Sequence, residues 1–107
     1  MKEYILCACN HYDDGINHIN QPVNIKTGFV TCGRSHHNCI ATFALIQKDI
    51  NREETVKLMN NETQGFITNL DRFVDRLEAL AIAQKADQIK GDQYIHDRIG
   101  LFSENLY

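Results

Sequence analysis

The sequence has no tryptophan, a single proline and no apolar run near the roughly 20 residues that a membrane-spanning helix requires. With only six glycines as well, collagen-like, proline-rich and flexible-linker chains are excluded. Positive charge is also scarce, since 11 Lys and Arg face 14 Asp and Glu, giving a net charge of −3. Proteins that bind DNA or RNA non-specifically are usually basic. The composition therefore predicts neither generic nucleic-acid binding nor a membrane partner.

Apolar residues are plentiful enough for one hydrophobic core. The chain of 107 residues has the usual size of a single domain, and 43% of its residues are hydrophobic, more than disordered chains contain. Strand-like and helix-like segments are both present. We predict a single α+β domain over residues 1–107, with a small mixed or antiparallel sheet and two to three helices.

The N-terminal residues and the cysteines give an expectation about location and cofactors. The first residues lack a basic region followed by a long apolar stretch, so we expect no secretion signal and a cytoplasmic protein. In a reducing compartment the four cysteines are expected to be free thiols packed as small apolar residues. Zinc binding through Cys32, Cys39 and His36 is the less favoured alternative. We therefore expect no cofactor and no metal site.

The apolar periodicity and the turn residues divide the chain into segments. The strand at 3–9 is expected to be central in the sheet. The loop after it is longer than ordinary connections, and a solvated insertion is favoured over a binding element or lid. The C-terminal tail is half apolar and is expected to dock on the body. The predicted elements are strands at 3–9, 28–33 and 65–69, helices at 39–48, 53–59 and 75–87, and a long loop at 10–27.

Two of the helices are predicted from their caps and apolar spacing. Ser35 or Asn38 can cap the first, and Asp75, three positions before Glu78, matches a capping box for the second. The residues expected to face the core are Ile40, Phe43 and Ala44 in the first helix and Leu77, Leu80 and Ala81 in the second.

The chain contains one internal similarity, Gly-Phe-Val-Thr at 28–31 and Gly-Phe-Ile-Thr at 65–68. Each tetrapeptide precedes an arginine and a capped helix, and either duplication or chance reuse of strand residues explains it. A helix N-terminus offers unpaired N–H groups to an anion, and arginine can hold a phosphate bidentately. We predict that phosphate groups of a ligand are bound by Arg34, Ser35, Arg72 and Arg76.

The adjacent pair His36 and His37 lies in a polar turn beside these residues. A histidine with a pKa near neutrality can transfer a proton in the cleavage of a phosphodiester. The enzymatic hypothesis is therefore a phosphodiesterase-like hydrolase with His36 or His37 as acid or base. In the binding hypothesis the same residues hold a nucleotide without turnover, and Tyr12 or Phe73 stacks on its base.

The histidine and arginine residues above belong to four short segments that follow one another along the chain. The pattern that they form contains Gly-Phe-Val-Thr-Cys-Gly-Arg-Ser-His-His-Asn-Cys at 28–39, Gln-Gly-Phe-Ile-Thr at 64–68, Arg-Phe-Val-Asp-Arg at 72–76 and Leu-Phe-Ser-Glu-Asn-Leu-Tyr at 101–107. The pattern resembles a family of small proteins carried by phages and prophages. Asn105 stands where the family's tail has Asp, which would affect the activity if that Asp were catalytic or a metal ligand.

The resemblance implies a biological setting. Small phage proteins often counter host defence, and several defence systems signal through cyclic dinucleotides or ADP-ribose derivatives, so it implies recognition, or hydrolysis, of such a nucleotide. The resemblance also implies that the tail is part of the site, with Glu104 as an orienting carboxylate and Tyr107 as a ligand-binding residue. A non-enzymatic protein-binding inhibitor and a small zinc-binding module are the alternatives. A homo-oligomer that completes the pocket across a two-fold axis also stays open.

Overall fold

The computed structural model describes residues 2–90, 95 and 98–107. None of the helices in these ranges combines the length and apolar character that crossing a membrane takes. The predicted α+β class is confirmed. In chain order the elements are β1 (Ile5–Tyr12), β2 (Phe29–Gly33), α1 (His36–Gln47), α2 (Arg52–Asn60), β3 (Glu62–Thr68), β4 (Phe73–Asp75), α3 (Arg76–Lys85) and a short 3-10 helix (Ser103–Leu106).

The four strands form one antiparallel sheet in the order β2-β1-β3-β4. The predicted central position of the first strand is confirmed, since β1 pairs with both β2 and β3. Residues on both sides of a strand are buried when both faces of the sheet are covered, and the consecutive residues Ala8, Cys9 and Asn10 are all fully buried. The strand continues to Tyr12, so the loop predicted at 10–27 begins three residues later than expected.

The two longer helices cover one face of the sheet. The pairing register places Ala8, Phe66 and Val74 in one row across β1, β3 and β4. Helix α1 lies over β1 and β2, and α3 lies over β3 and β4. The buried apolar cluster between them consists of Ile5, Ala8, Cys39, Phe66, Val74, Ala79, Leu80, Ala83, Leu101 and Leu106.

The long loop between β1 and β2 crosses the other face. The side chain of Gln21 accepts a hydrogen bond from Val30 N (3.1 Å) on the outer strand β2. The Asn24 side chain accepts from Phe73 N (2.8 Å) and donates to Phe73 O (2.7 Å) on the opposite outer strand β4. Pro22, between these two anchors, is buried. The loop is therefore an ordered cover for the sheet that bonds to both of its edges.

The prediction of which helix residues face the core was only partly right. Phe43 and Leu80 are buried, but Ile40, Ala44, Leu77 and Ala81 are exposed. Helix α1 starts three residues before the predicted 39–48 because Ser35 is the N-cap. Its contacts with the sheet determine which side of the helix is buried. The side chains that face the sheet instead are His36, Cys39 and Gln47 in α1 and Ala79 and Ala83 in α3.

The internal similarity corresponds to β2 and β3, which flank β1 on its two sides. Phe29 of the first tetrapeptide pairs with Tyr12, whereas Phe66 of the second pairs with Ala8, so the two strands are offset by four residues along β1. Strand β4, which the sequence did not predict, also intervenes before α3. We conclude that the two segments share strand composition rather than a duplicated unit.

The C-terminal tail docks on the body, as predicted. Leu101 and Leu106 are buried in the core, and Leu101 N donates to Arg76 O (2.8 Å). Gly100 makes this approach possible. Its φ is +108°, and a Cβ at this position would collide with the Arg76 carbonyl group. The tail is thereby held against the first turn of α3.

Candidate functional site

A cleft of about 210 Å³ lies where the N-terminus of α1, the start of α3 and the docked tail meet. Strand β3 contributes one polar side chain to its wall. Its lining residues are Ser35, His36, His37, Ile40, Gln64, Arg76, Phe102, Ser103 and Glu104.

His36 is the first residue of α1 and is held between two partners. Its Nε2 lies 2.8 Å from Gly65 O, and Arg76 Nη2 lies 3.3 Å from its Nδ1. A carbonyl only accepts and a guanidinium only donates. The ring is therefore the neutral tautomer with its proton on Nε2, and both of its nitrogens are occupied.

The environment keeps His36 neutral. Burial is the main cause that lowers the pKa of His36, and the charge of Arg76 lowers it further, against the hydrogen bond to Gly65, which raises it. Glu104 and Glu62 raise it more weakly. A ring with an occupied Nδ1 and a lowered pKa is poorly placed to accept a proton from a substrate.

Arg76 is a half-buried cation bonded to neutral groups. Its Nη1 donates to Leu101 O (2.7 Å) and its Nη2 to Gln64 Oε1 (2.6 Å) as well as to His36. Its guanidinium lies 4.6 Å from the ring centre of Phe102. Within the described ranges, no carboxylate comes within ion-pair distance of Arg76. The guanidinium is thus oriented by neutral partners, and no carboxylate of the described residues forms an ion pair with it.

The electrostatic state of Arg76 agrees with this geometry. Burial lowers the pKa of Arg76, and only the more distant charge of Glu104 opposes that shift. Burying a cation without a counterion costs free energy. An anion in the cleft would remove that cost.

A second cleft of about 290 Å³ adjoins the first and shares Ser35, Ser103 and Glu104 with it. Here the guanidinium of Arg34 lies 4.5 Å from the ring centre of Tyr107, the last residue of the tail. A cation stacked on an aromatic face keeps its N–H edge free for hydrogen bonds. The docked tail therefore places a second arginine beside the first cleft.

The structure brings most of the predicted site residues together. The two adjoining clefts contain Arg34, Ser35, His36, His37, Arg76, Glu104 and Tyr107. His37 and Glu104 are both exposed at the cleft surface, one on α1 and one on the tail.

Arg72 lies apart from these clefts and already has two carboxylate partners. Its Nε and Nη2 donate to the two oxygens of Glu3 (2.8 and 2.9 Å), and Nη2 also donates to Glu78 (2.7 Å). These contacts raise its pKa. The guanidinium joins the N-terminal segment to the start of α3, so its bonding is that of a structural residue.

The two helix N-termini are capped by the chain itself. Ser35 Oγ accepts from Asn38 N (3.3 Å), and Asn38 Oδ1 accepts from Ser35 N (3.0 Å). Asp75 Oδ1 accepts from Glu78 N (2.8 Å), which confirms the predicted cap. Some of the backbone N–H groups that were expected to bind an anion are therefore already bonded to the capping side chains. The arginine side chains are the stronger hydrogen-bond donors for an anion here.

Sequence reasoning did not select Gln64 or Phe102, which orient Arg76. The alternation of β3 was a usable signal for Gln64, because it puts this polar residue on the same face as buried Phe66. Of the two aromatic residues suggested for base stacking, Tyr12 is 1% exposed and stacks on Phe43, with 3.9 Å between ring centres. Phe73 lies against His11, away from the clefts. Neither suggestion fits the structure.

The cysteines lie apart from the clefts. Cys32 Sγ lies 3.5 Å from Cys9 Sγ across the β1–β2 pair, whereas Cys39 is buried in α1. All four are free thiols. No group of three or more His, Cys, Asp or Glu side chains in the described part of the chain is arranged to hold a metal ion. The geometry lends no support to the zinc alternative.

Comparison with known proteins connects the chain to a phage family. It matches the sequence model of a family described as phage T4 y16D protein, over residues 4–107. No curated protein and no solved structure matches it. The matched region contains both clefts and every strand and helix described above.

Proposed function

Because the chain belongs to the phage T4 y16D protein family, we propose that it is a phage protein that binds a phosphate-bearing nucleotide signal. The ligand class is a cyclic dinucleotide or an ADP-ribose derivative, and sequestering it counters host defence. The adjoining clefts at the start of α1 are the binding site. Their volumes of about 210 and 290 Å³ together match the size of ordinary small-molecule sites.

The observation that carries the proposal is the bonding of Arg76. Its half-buried guanidinium is held by Gln64, Leu101 and His36 and has no carboxylate within ion-pair distance among the described residues. A fixed cation facing a cleft is suited to a phosphate oxygen, since charge-assisted hydrogen bonds are stronger than neutral ones.

The second cleft supports a ligand with two phosphates or with a phosphate and a base. Arg34 supplies another cation, and the Tyr107 ring beneath it is a flat apolar surface. Ser35 and Ser103 line both clefts and offer hydroxyl groups, and Glu104 between them is an acceptor for ribose hydroxyls. This arrangement accounts for a nucleotide better than for free phosphate.

Binding without turnover is favoured over hydrolysis. His36, the best positioned of the candidate catalytic residues, is neutral with both nitrogens occupied. Proton transfer would then depend on His37 and Glu104, which are both exposed at the cleft surface.

Titration calorimetry with cyclic di-GMP, cyclic GMP-AMP and ADP-ribose tests the proposal. At least one probe is expected to bind the unaltered protein. Arg76→Gln and Arg34→Gln are each expected to weaken that binding at least about tenfold, through loss of a charge-assisted contact. Arg72→Gln is the matched control, since it removes the same charge outside the clefts.

After incubation with a bound probe, the protein is denatured and the released nucleotide is identified. Intact nucleotide is the expected result, and linear or cleaved product would establish hydrolysis instead. Binding that responds equally to Arg72→Gln and Arg76→Gln would contradict the assigned site, and absence of binding by all three probes would contradict the proposed ligand class.

A further inference from the structure

A groove of about 530 Å³ lies at the C-terminal end of α1, the opposite end from the nucleotide clefts. It separates α2 from the end of α1 and from the start of the long loop. Apolar side chains at the groove come from α2 (Leu58), the α1–α2 connection (Ile50), β2 (Phe29) and the loop (Ile16). Ile16 and Ile50 are exposed, and Leu58 and Phe29 are half-buried.

Helix α2 is the least buried of the three α-helices in the described part of the chain. It has nine residues and none of them is buried, whereas isolated helices shorter than about 12 residues are marginal in water. Val56 and Met59 are also exposed. A side-chain bond from Thr55 Oγ1 to Gln47 Oε1 (3.2 Å) ties α2 to α1. Local capping by Asn51 supports the helix, but Leu58 is only half-buried and no residue of α2 is buried.

The charges around the groove select the kind of partner. Among the described residues, Asp13, Asp14 and Glu54 line it, against the one cation Lys57. Asp13 and Asp14 are fixed in place, since Asp13 accepts from Thr27 Oγ1 (2.7 Å) and Asp14 is paired with His18 (2.7 Å). A phosphate ligand would be repelled here. A second copy joined by a two-fold axis would place the same acidic rim against itself.

We propose that this groove docks a protein segment in which an apolar side chain is flanked by lysine or arginine. The apolar side chain packs between Leu58, Ile50 and Phe29, and the flanking cations face the acidic rim. Docking buries the inner side of α2 and so adds packing to that helix. This surface is separate from the nucleotide clefts, and its role does not depend on them.

The adjacent residues Glu53 and Glu54 provide a matched test, because only Glu54 lines the groove. The probe is a fluorescein-labelled 14-residue amphipathic peptide of leucine and lysine, with a leucine–glutamate peptide of the same pattern for comparison. The leucine–lysine peptide is expected to bind the unaltered protein at physiological salt. Glu54→Lys is expected to weaken binding at least about tenfold, and Glu53→Lys to change it less than about twofold.

Hydrogen exchange measures the protection of the α2 amides, which charge attraction alone would not change. The amides of α2 are expected to exchange rapidly in the free protein and at least about tenfold more slowly when the leucine–lysine peptide is bound. Leu58→Ser, which keeps all charges, is expected to weaken the peptide as strongly as Glu54→Lys does, with circular dichroism confirming that the fold is retained.

The proposal is overturned by any of four results. The leucine–lysine peptide fails to bind, or the leucine–glutamate peptide binds equally well. Glu53→Lys and Glu54→Lys weaken binding equally, which would indicate general attraction to an acidic protein. Sedimentation shows a dimer whose formation protects α2, which would make a second copy the occupant.

Discussion

Arg76 donates to the Nδ1 of His36 across 3.3 Å while the Nε2 of the same ring donates to Gly65 O. The two contacts fix the tautomer of the histidine and the direction of the guanidinium at once. His36 is thereby a positioning residue for Arg76. The pair links the first turn of α1, the first turn of α3 and strand β3, and the cleft lies at their junction.

The lowered pKa of His36 makes stability depend on pH. Burial is the main cause of that shift from the ordinary value of 6.5. Between 6.5 and the lowered value the unfolded chain binds more protons than the folded one, so stability is full above pH 6.5 and falls as the pH falls through that range. The free energy of unfolding is measured in urea at pH 7.5 and at pH 5.5. Its decrease between the two pH values is expected to be smaller for His36→Gln than for the unaltered protein. Equal decreases would contradict the assignment.

Replacing Arg72 is expected to affect stability. Arg72→Gln removes the paired contacts to Glu3 and Glu78 and is expected to lower the free energy of unfolding by about 1 kcal/mol or less at pH 7, because the pair is partly exposed. The bond to Arg72 is the main cause that lowers the pKa of Glu3. The difference in the free energy of unfolding between Arg72→Gln and the unaltered protein is therefore expected to become smaller as the pH falls below 4.5. A constant difference in urea titrations from pH 7 to 3 would argue against this ion pair.

Gly100→Ala is expected to undock the tail. The added Cβ meets the Arg76 carbonyl, and φ of +108° disfavours any residue with a side chain. We expect the free energy of unfolding, measured by heat or urea, to fall by about 1–3 kcal/mol. We also expect the proposed nucleotide ligand to bind more weakly, because Tyr107 and Ser103 leave the clefts. Gly15→Ala is a suitable control, since its φ is also positive but no atom lies within 4 Å of the added Cβ. Equal effects of the two variants would show that strain, rather than tail docking, is responsible.

Cys32 is expected to be the first thiol to react, and to react slowly. It is the exposed cysteine of the four. Its contact with Cys7 lowers the pKa of Cys32, but the contact with Cys9 together with burial outweighs this and raises it to about 11. Labelling with a disulfide reagent at pH 7.4 is expected to modify one thiol per chain about 100-fold more slowly than a free cysteine peptide, since the thiolate is the nucleophile. Cys32→Ser is expected to remove the reaction, and modification of several thiols at once would contradict the assignment.

Local sequence signals predicted the elements well where caps and apolar spacing agreed. Ser35 and Asp75 cap α1 and α3 as expected, and the strand at the N-terminus is central. They did not predict β4, because three residues between a turn and a helix carry too little pattern to identify a strand. They also misjudged Ile40 and Leu77, because helical spacing cannot decide which of two apolar sides meets the sheet.

The sequence by itself determined the α+β class, the central strand, the capped helices and a set of cations and histidines beside them, since these follow from propensity, capping and local periodicity. Only the tertiary structure decided that Arg72 has two carboxylate partners whereas Arg76 has none among the described residues, that His36 has both nitrogens occupied, and that the tail lines both clefts. Each of these depends on residues from distant parts of the chain meeting at one point. Sequence spacing does not specify such meetings, because they arise from the order of the strands and the docking of Leu101 beside α3.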